Sequence, residues 1–493
     1  MNDVIGPVVL PLVGAAVGLM IRRWPVAQRW FCFSVMVLTL LAALGLWQRV
    51  ASAEMPRVLA LGNWSAPFGI VLVADSLGAF MTVMSALVMM AGMGYALGCR
   101  DKCVRAPTFY PLFLTLAAGL HGGILTGDLF NLFVFTELVV ISGAALTALS
   151  DDENGVEASY KYFYISIVAG VLLLLSAAGL YATHGTLNLA DLAGRITQDG
   201  MRGLTGIAMV CLAAFCFVKS AVVPFHFWQP DFHTAAPTPV HAVLSSVVVK
   251  LGIVWLMRMT TLLAPAAAAW QALLVVLGVA GVFFGGLGAV GTYDAKRMLA
   301  YSTMGQLGFI LVAIGWGTAT ALTAAVVYAF HHSLAKAAML MLAGSVASRA
   351  PIKSARWEVV AGVGRTMPGA GVLFLLGGMA LAGIPLTNGF VSKWMVFRSG
   401  MDAGDVITVL VLAGGSVLSL VYVGRAFQQI WWEVPPADTP RKTEGDQLWA
   451  PAALIAMCVV FGVYARPVTD AATRVVHGMR DMGSYQAAVL GQR

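Results

Sequence analysis

Charge is what this chain has least of. Asp, Glu, Lys and Arg make up 11% of its 493 residues, against about 25% in soluble domains. A soluble fold of this size could not cover its surface with polar groups, so that class is excluded. Cysteine is sparse too. Cys32, Cys99, Cys103, Cys211, Cys216 and Cys458 show no CxxC and no ligand-type clustering; Cys99 and Cys103 could share a helix face, but two thiols are half a zinc site at best, which speaks against a metal site. The alternation of barrel strands is missing, as are nucleotide-binding and iron–sulfur motifs. The start, Met-Asn-Asp, has no basic run and no small-residue cleavage site, so the first apolar stretch is expected to be retained. The net charge of +7 is modest and sits in short loops, so nucleic acid is not an expected partner.

What is present is apolar: 59% of the residues are hydrophobic, in stretches able to cross about 30 Å of hydrocarbon. Backbone groups in lipid must be satisfied within the segment, which makes these stretches helices. At roughly 30–35 residues per span and connection, the length predicts an all-α polytopic membrane protein with about fourteen transmembrane helices. The expected spans are 4–21, 30–49, 77–98, 109–126, 129–149, 160–183, 203–223, 238–257, 271–291, 299–317, 321–346, 370–397, 405–430 and 448–465. Arg22, Arg23, Arg29, Arg100, Lys102, Arg105, Lys296, Arg297, Arg349, Lys353, Arg356, Arg365, Arg441 and Lys442 all fall on one side of these spans. By the positive-inside rule that side is cytoplasmic, and both termini lie outside. Asp151, Asp152, Glu153 and Glu157 share the basic side, but acidic residues weigh little in this rule.

Two regions are more than simple spans. Residues 203–233 are apolar beyond one membrane thickness and are interrupted by Pro224; residues 366–398 repeat the pattern with Gly383 and Pro385. Interior proline removes a backbone hydrogen bond and breaks or kinks a helix. Two long, interrupted spans in corresponding positions of two halves point to a transporter built from internal repeats. After Pro467, the residues Val468, Ala472, Val475, Met479 and Met482 recur at helical spacing. They predict a short amphipathic helix on the membrane surface or against a partner.

Several charges stand in the wrong solvent. Glu137 lies nine residues after Asp128, about 13 Å into its span. Lys219 sits in an unbroken apolar run just before Pro224, and Lys250 follows Pro239 by about 16 Å of helix. Lys336 precedes the basic loop at Arg349 by most of a half-span, and Lys393 follows Pro385. Each such charge at the bilayer centre costs about 2.5–3.5 kcal/mol, so together they cost on the order of 10 kcal/mol or more. One Glu–Lys pair could be structural glue of little net worth. Four lysines facing one firm glutamate are not explained that way. Desolvation disfavours an ammonium and lets a buried lysine exchange its proton near neutral pH, so the excess reads as a proton relay, with Glu137 setting the charge state of Lys219 by proximity.

Other groups extend the relay. His331 and His332 lie about one turn from Lys336, His332 sharing its helix face, and histidine titrates closest to physiological pH. His241, with His226 and His233, gathers after Pro224 near the cytoplasmic side; His121, alone in the fourth span, is a weaker candidate. The breaks at Pro224 and Pro385 free carbonyls and amides beside Lys219 and Lys393 to hold water or an ion. The bland alternatives are a helix-end histidine and a packing kink. A break beside an intramembrane lysine, occurring twice, favours function.

These residues lie in specific runs. The stretch 219-KSAVVPFHFWQPDFHTAAPTPVHAVLSSVVVKLG-252, with 294-DAKRMLAYSTMGQLGF-309, 331-HHSLAKAAMLMLAG-344 and 383-GIPLTNGFVSKW-394, resembles the proton-conducting membrane transporter family. That family includes antiporter-like subunits of respiratory complex I, related hydrogenase membrane subunits and Mrp-type antiporters. The resemblance runs from about residue 109 to 430. It implies two inverted five-helix repeats with broken seventh and twelfth helices, and segments 1–108, 109–263, 264–433 and 434–493 (three helices, two repeats, last helix with tail). Glu137 then resembles the fifth-helix glutamate, and Lys219, Lys250 and Lys393 the lysines of the seventh, eighth and twelfth helices.

The run 62-GNWSAPFGIVLVADSLGAFM-81 is similar to D-type subunits of Mrp (Mnh or Pha) sodium/proton antiporters. The resemblance implies a proton-translocating subunit of a multisubunit antiporter in a bacterial inner (plasma) membrane, without cofactor or metal and without enzymatic chemistry. Its expected partners are small membrane subunits and a larger homologous A-type subunit, with H+ and Na+ as transported ions. The competing reading is a proton-pumping subunit of a complex I or membrane-bound hydrogenase type. A haem-carrying chain is disfavoured, because the histidines do not face one another from neighbouring spans. Glu137 is the only firm intramembrane carboxylate and hard cations want several oxygen ligands, so the sodium path is left open.

Overall fold

The computed structural model describes residues 3–53, 55–150, 152–264, 267–352, 354–434, 442 and 444–491. Lys353 and Arg441 of the basic loops and Asp151 of the acidic loop lie outside the described residues. Helices α1 (Gly6–Met20) and α2 (Pro25–Ala51) lead into an antiparallel hairpin, β1 (Arg57–Ala60) and β2 (Val71–Ala74), with Arg57 opposite Ala74. Then come α3 (Ser76–Leu97), α4 (Phe109–Leu125), α5 (Leu129–Ala148), α6 (Glu153–His184) and the amphipathic α7 (Leu189–Asp199). The central region holds α8 (Thr205–Lys219), α9 (Trp228–Ala235), α10 (Thr238–Leu263), α11 (Ala268–Gly291), α12 (Ala295–Trp316) and α13 (Ala319–Arg349). The chain ends with α14 (Pro368–Ala382), α15 (Asn388–Asp402), α16 (Val406–Trp432), α17 (Trp449–Val463), α18 (Arg466–Arg480) and α19 (Met482–Leu490).

Among the described residues, nine helices are long and apolar enough to cross a membrane, or up to eleven if each of two bent pairs is one span. Shorter apolar helices are α1, α4 and α8. The chain is a multi-pass helical membrane protein. Burial sorts the helices into an interior and a periphery: the apolar windows of α10, α12 and α13 are 94%, 94% and 100% buried, those of α2, α11 and α16 only 33–39%.

The scarce acids stand at helix starts. Asp75, Asp128, Asp152, Asp294 and Asp405 each accept from a backbone amide three residues on, at 2.8, 2.8, 2.6, 2.9 and 3.1 Å. A capping carboxylate satisfies an orphan amide and complements the helix dipole. The residues at helix starts also explain two boundary differences. The sixth helix begins at Glu153 rather than 160 because Asp152 draws the acidic loop into its first turn. The second begins at Pro25 rather than 30, with proline in the tolerated first-turn position. Close packing of α11 on α12 relies on small residues: a Cβ on Gly278 would stand 2.7 Å from the Gly308 carbonyl oxygen, the kind of approach membrane helices use in place of hydrophobic drive.

Both expected interruptions are present. Residues 220–227 separate α8 from α9, and 383–387 separate α14 from α15, with Gly383 at φ +82° and Leu386 at φ +73°. The C-terminal expectation needs correction. Val468, Ala472, Val475 and Met479 are buried, but against this chain's own α3 and α13, with Ser76 Oγ donating to the Val475 carbonyl at 3.2 Å. Neither a membrane surface nor a partner covers that face. Spacing reveals an apolar face, not its cover. Met482 starts the separate helix α19 instead of continuing the stripe.

Candidate functional site

The interior helices converge on a buried line of polar groups. On α10 a π-helical turn over Leu244–Val248 precedes Lys250; such turns often mark functional positions. Lys250 is buried, and its Nζ lies 2.9 Å from His332 Nδ1 on α13. One turn on, Lys336 is fully buried and donates to the Leu299 carbonyl at 3.0 Å and to Ser302 Oγ at 2.8 Å. The Ser302 hydroxyl is 2.7 Å from Tyr422 OH. Gln306 Nε2, one turn after Ser302, donates to Tyr422 OH and to Ser419 Oγ, each at 3.3 Å. Ser419 in turn accepts from Lys393 Nζ at 3.5 Å. Lys336 and Lys393 are thus joined through four side chains from α12 and α16.

Lys393 is held by the break itself. Its Nζ donates to the Ala382 carbonyl at 2.8 Å, at the end of α14, and to Ser416 Oγ at 2.6 Å. Interrupting the helix frees that carbonyl to accept the ammonium. Gly383 is needed twice over: its φ of +82° is left-handed, and a Cβ there would stand 2.6 Å from Lys393 Cδ. At the other break Trp228 Nε1 takes the Val218 carbonyl at 3.1 Å.

Lys219 and Glu137 sit apart from this line. Lys219 ends α8; its Nζ is buried with no hydrogen-bond partner. Glu137 is half-buried on α5 and packs by Gly170 of α6, where a Cβ would stand 2.8 Å from its Oε1. The two interact electrostatically, and no ion pair within 4.0 Å joins them among the described residues. The structure brings Lys250, Lys336, Lys393 and His332 together and leaves Glu137 and Lys219 outside that line.

The two adjacent histidines diverge. His332 turns to Lys250, whereas His331 Nδ1 lies 2.9 Å from Ser392 Oγ on α15. An internal cavity of about 10 Å³ is lined by both histidines, Gln306, Tyr328 and Asn388, close to the space one water needs. His331 Nε2, His332 Nε2 and Asn388 Oδ1 are buried without protein partners, and Tyr328 OH donates to Gln306 Oε1. A water in that cavity would connect the Lys250–His332 pair to the Gln306 branch.

His241 is fully buried rather than at a surface helix end, with its ring 5.3 Å from that of His233 and both nitrogens unpartnered. No hydrogen bond ties it to Lys336. His121 is a structural tie, its Nδ1 2.9 Å from the Pro7 carbonyl. Sequence reasoning missed Ser302, Gln306, Ser416, Ser419 and Tyr422, although polar residues three or four apart in apolar helices were the available signal. It also missed a buried ion pair: Arg258 grips Asp75 through two bonds of 2.9 and 3.0 Å, with side-chain exposures of 1% and 6%. No group of three or more metal-ligating side chains occurs among the described residues.

Known proteins resemble this chain in sequence and in fold. The profile described as "NADH:quinone oxidoreductase/Mrp antiporter, TM" matches residues 126–419. Over 99% of each chain, the sequence is 31% identical to the D subunit of the Na(+)/H(+) antiporter of Alkalihalophilus pseudofirmus. Among solved structures, a chain of the Mrp complex from Dietzia sp. DQ12-45-1b superposes with a TM-score of 0.90 at 25% identity, covering 99% of both chains. A chain of the membrane-bound sulfane sulfur reductase, an archaeal respiratory membrane complex, gives 0.92 at 28% identity, covering 99% of this chain and 100% of that one.

Proposed function

The chain belongs to the NADH:quinone oxidoreductase/Mrp antiporter transmembrane family, and from that premise we propose that it is the D-type, proton-translocating subunit of a multisubunit Na+/H+ antiporter. The full-length likeness to the D subunit of such an antiporter supports the assignment. The observation that carries the mechanism is the hydrogen-bonded line from Lys336 to Lys393, with Lys250 and His332 beside it, inside helices otherwise apolar. Hydroxyls both donate and accept, so Ser302 and Tyr422 can carry a proton on the Lys336 side and Ser419 on the Lys393 side. Gln306 Nε2 donates to both Tyr422 and Ser419 and holds them in register, and the step between those two hydroxyls needs a bridging water or a hydroxyl that turns toward its neighbour. Glu137 and Lys219 form the input end: moving their charges together or apart changes how well Lys219 holds its proton, and that change is passed to Lys250. His331 and His241 serve as side entries. No covalent chemistry is involved; the chain moves ions.

Fourteen spans fit the chain if the nine long helices and three shorter ones are joined by α14 with α15, taken together as one broken span, and by α17. Inverted repeats over 109–263 and 264–433, between an N-terminal segment of residues 1–108 and a tail 434–493, are supported by a matched detail. Asp128 caps α5 and bridges to Asn188, and Asp294 caps α12 and bridges to Arg356. Each bridge follows the next helix and precedes a broken one. An even number of spans and basic loops on one side support a reading with both termini outside a bacterial plasma membrane. Partners are small membrane subunits and a larger homologous A-type subunit, and the Na+ path lies outside this chain's lysine line. Glu137→Ala or Lys219→Ala abolishes antiport in everted vesicles while the complex still assembles; retained activity at normal expression refutes the relay.

The likeness to a respiratory membrane complex favours one alternative, a redox-driven proton pump. Affinity purification of the intact complex separates the two. Small membrane subunits alone mean an antiporter; peripheral flavin or iron–sulfur subunits mean the pump.

A further inference from the structure

A second cavity lies away from the lysines, where α13 begins, α15 ends and α18 crosses them. Its volume is about 800 Å³, within the range of ligand pockets. Arg398, Asp402, Arg480 and Asp481 bring charge to it, and Met395 and Val476 give it apolar walls. Asp481 is committed to capping α19, accepting from Ser484 N at 2.9 Å and Ser484 Oγ at 2.6 Å. Arg398, Asp402 and Arg480 have no hydrogen bond or ion pair to any described residue.

An apolar strip lies along the same helix. Phe390, Trp394, Arg398 and Asp402 follow at four-residue intervals along α15, so they share one flank of the helix. Phe390 and Trp394 are 38% and 57% exposed, with stacked rings 6.4 Å apart. Aromatic side chains exposed along a helix of a membrane protein, followed on the same flank by an arginine near the helix end, suit a surface that meets lipid. Two guanidiniums are donors suited to a phosphate. The uncommitted Asp402 carboxylate is an acceptor suited to a primary ammonium. His477 also lines the pocket; with its imidazole neutral, two arginines and two aspartates balance one another, so a zwitterion matches the pocket better than an anion.

We propose that this pocket binds the headgroup of a zwitterionic aminophospholipid, with Arg398 and Arg480 on the phosphate, Asp402 on the ammonium and the acyl chains along Trp394 and Phe390. Such a lipid would fasten α18 to the end of α15. The test is native mass spectrometry of the purified full complex given equimolar phosphatidylethanolamine and phosphatidylglycerol. Phosphatidylethanolamine is expected to be retained about tenfold better, the scale of one charge-assisted hydrogen bond. Asp402→Asn removes that preference, Asp402→Arg turns it toward phosphatidylglycerol, and Arg398→Gln with Arg480→Gln loses both lipids. Arg466→Gln, on the same strap but outside the pocket, leaves retention unchanged. Asp402 is exposed and unpaired, so its variants do not threaten folding. Equal retention of the two lipids by the wild type, or an unaltered preference in Asp402→Asn, overturns the proposal, as does a protein segment found in the pocket. The readout is lipid retention, so its failure leaves the transport assignment standing.

Discussion

Replacing Tyr422 by Phe removes one oxygen from the middle of the lysine line and leaves the rest in place. Tyr422 is 2% exposed, and the retained ring fills nearly the same volume, so no sizeable cavity opens. Its hydroxyl meets Ser302 Oγ at 2.7 Å and Gln306 Nε2 at 3.3 Å. Lys336 keeps the Leu299 carbonyl and Ser302, and Lys393 keeps the Ala382 carbonyl and Ser416. The lysines stay anchored while the link between them is cut. Two hydrogen bonds, each worth about 0.5–1.5 kcal/mol net, amount to about 1–3 kcal/mol on any step that needs the link. That corresponds to proton transfer roughly 5- to 150-fold slower. The assay is sodium-driven dequenching of a pH-sensitive dye in everted vesicles, normalised to the amount of the chain in the membrane. Ser302→Ala should fall by a similar factor, and the double variant little further, because both cut one connection. Tyr422→Phe activity within about twofold of the wild type would sink the idea that protons pass between Lys336 and Lys393 by this route.

Three further outcomes are expected. Lys219→Arg loses antiport as Lys219→Ala does, because arginine stays charged in proteins; full activity in the same vesicle assay would mean that a fixed charge suffices. Gly383→Ala places a side chain at φ +82° and against Lys393, costing about 1–2 kcal/mol in backbone alone and displacing the ammonium. Transport should fall sharply, whereas Gly369→Ala, with nothing near its added carbon, should be silent. Asp75→Ala leaves Arg258 buried without its carboxylate and should destabilise the chain by about 3–5 kcal/mol. Its thermal midpoint in detergent should drop, and adding Arg258→Met should recover some of the loss.

The spans were legible because lipid makes each one a local problem. A run of apolar residues must satisfy its own backbone where it stands, so composition alone places α3, α5 or α11 within a few residues. Buried lysines are legible for the same reason: Lys250 and Lys336 are conspicuous in helices that carry almost no other charge. The helix start at Glu153 was less visible, since an acidic loop and a capped first turn have the same composition. The π turn before Lys250 left no mark in the sequence at all.

Partnership is another matter. The sequence grouped His331 and His332 with Lys336, yet consecutive residues on a helix point about 100° apart, and the two rings reach different helices. Lys250 meets a histidine 82 positions away, Ser302 a tyrosine 120 away and Arg258 an aspartate 183 away. The stripe Val468, Ala472, Val475 and Met479 fixed a helix face, but only the bend after α17 decided that α3 and α13 would cover it. By itself, then, the sequence determined the membrane class, the helices, the two breaks and the lysines that lie among them, because each follows from the solvent around a single segment. Which lysine touches which neighbour, and through which hydroxyls they are joined, was decided by packing between segments far apart in the chain, where no local composition carries the information.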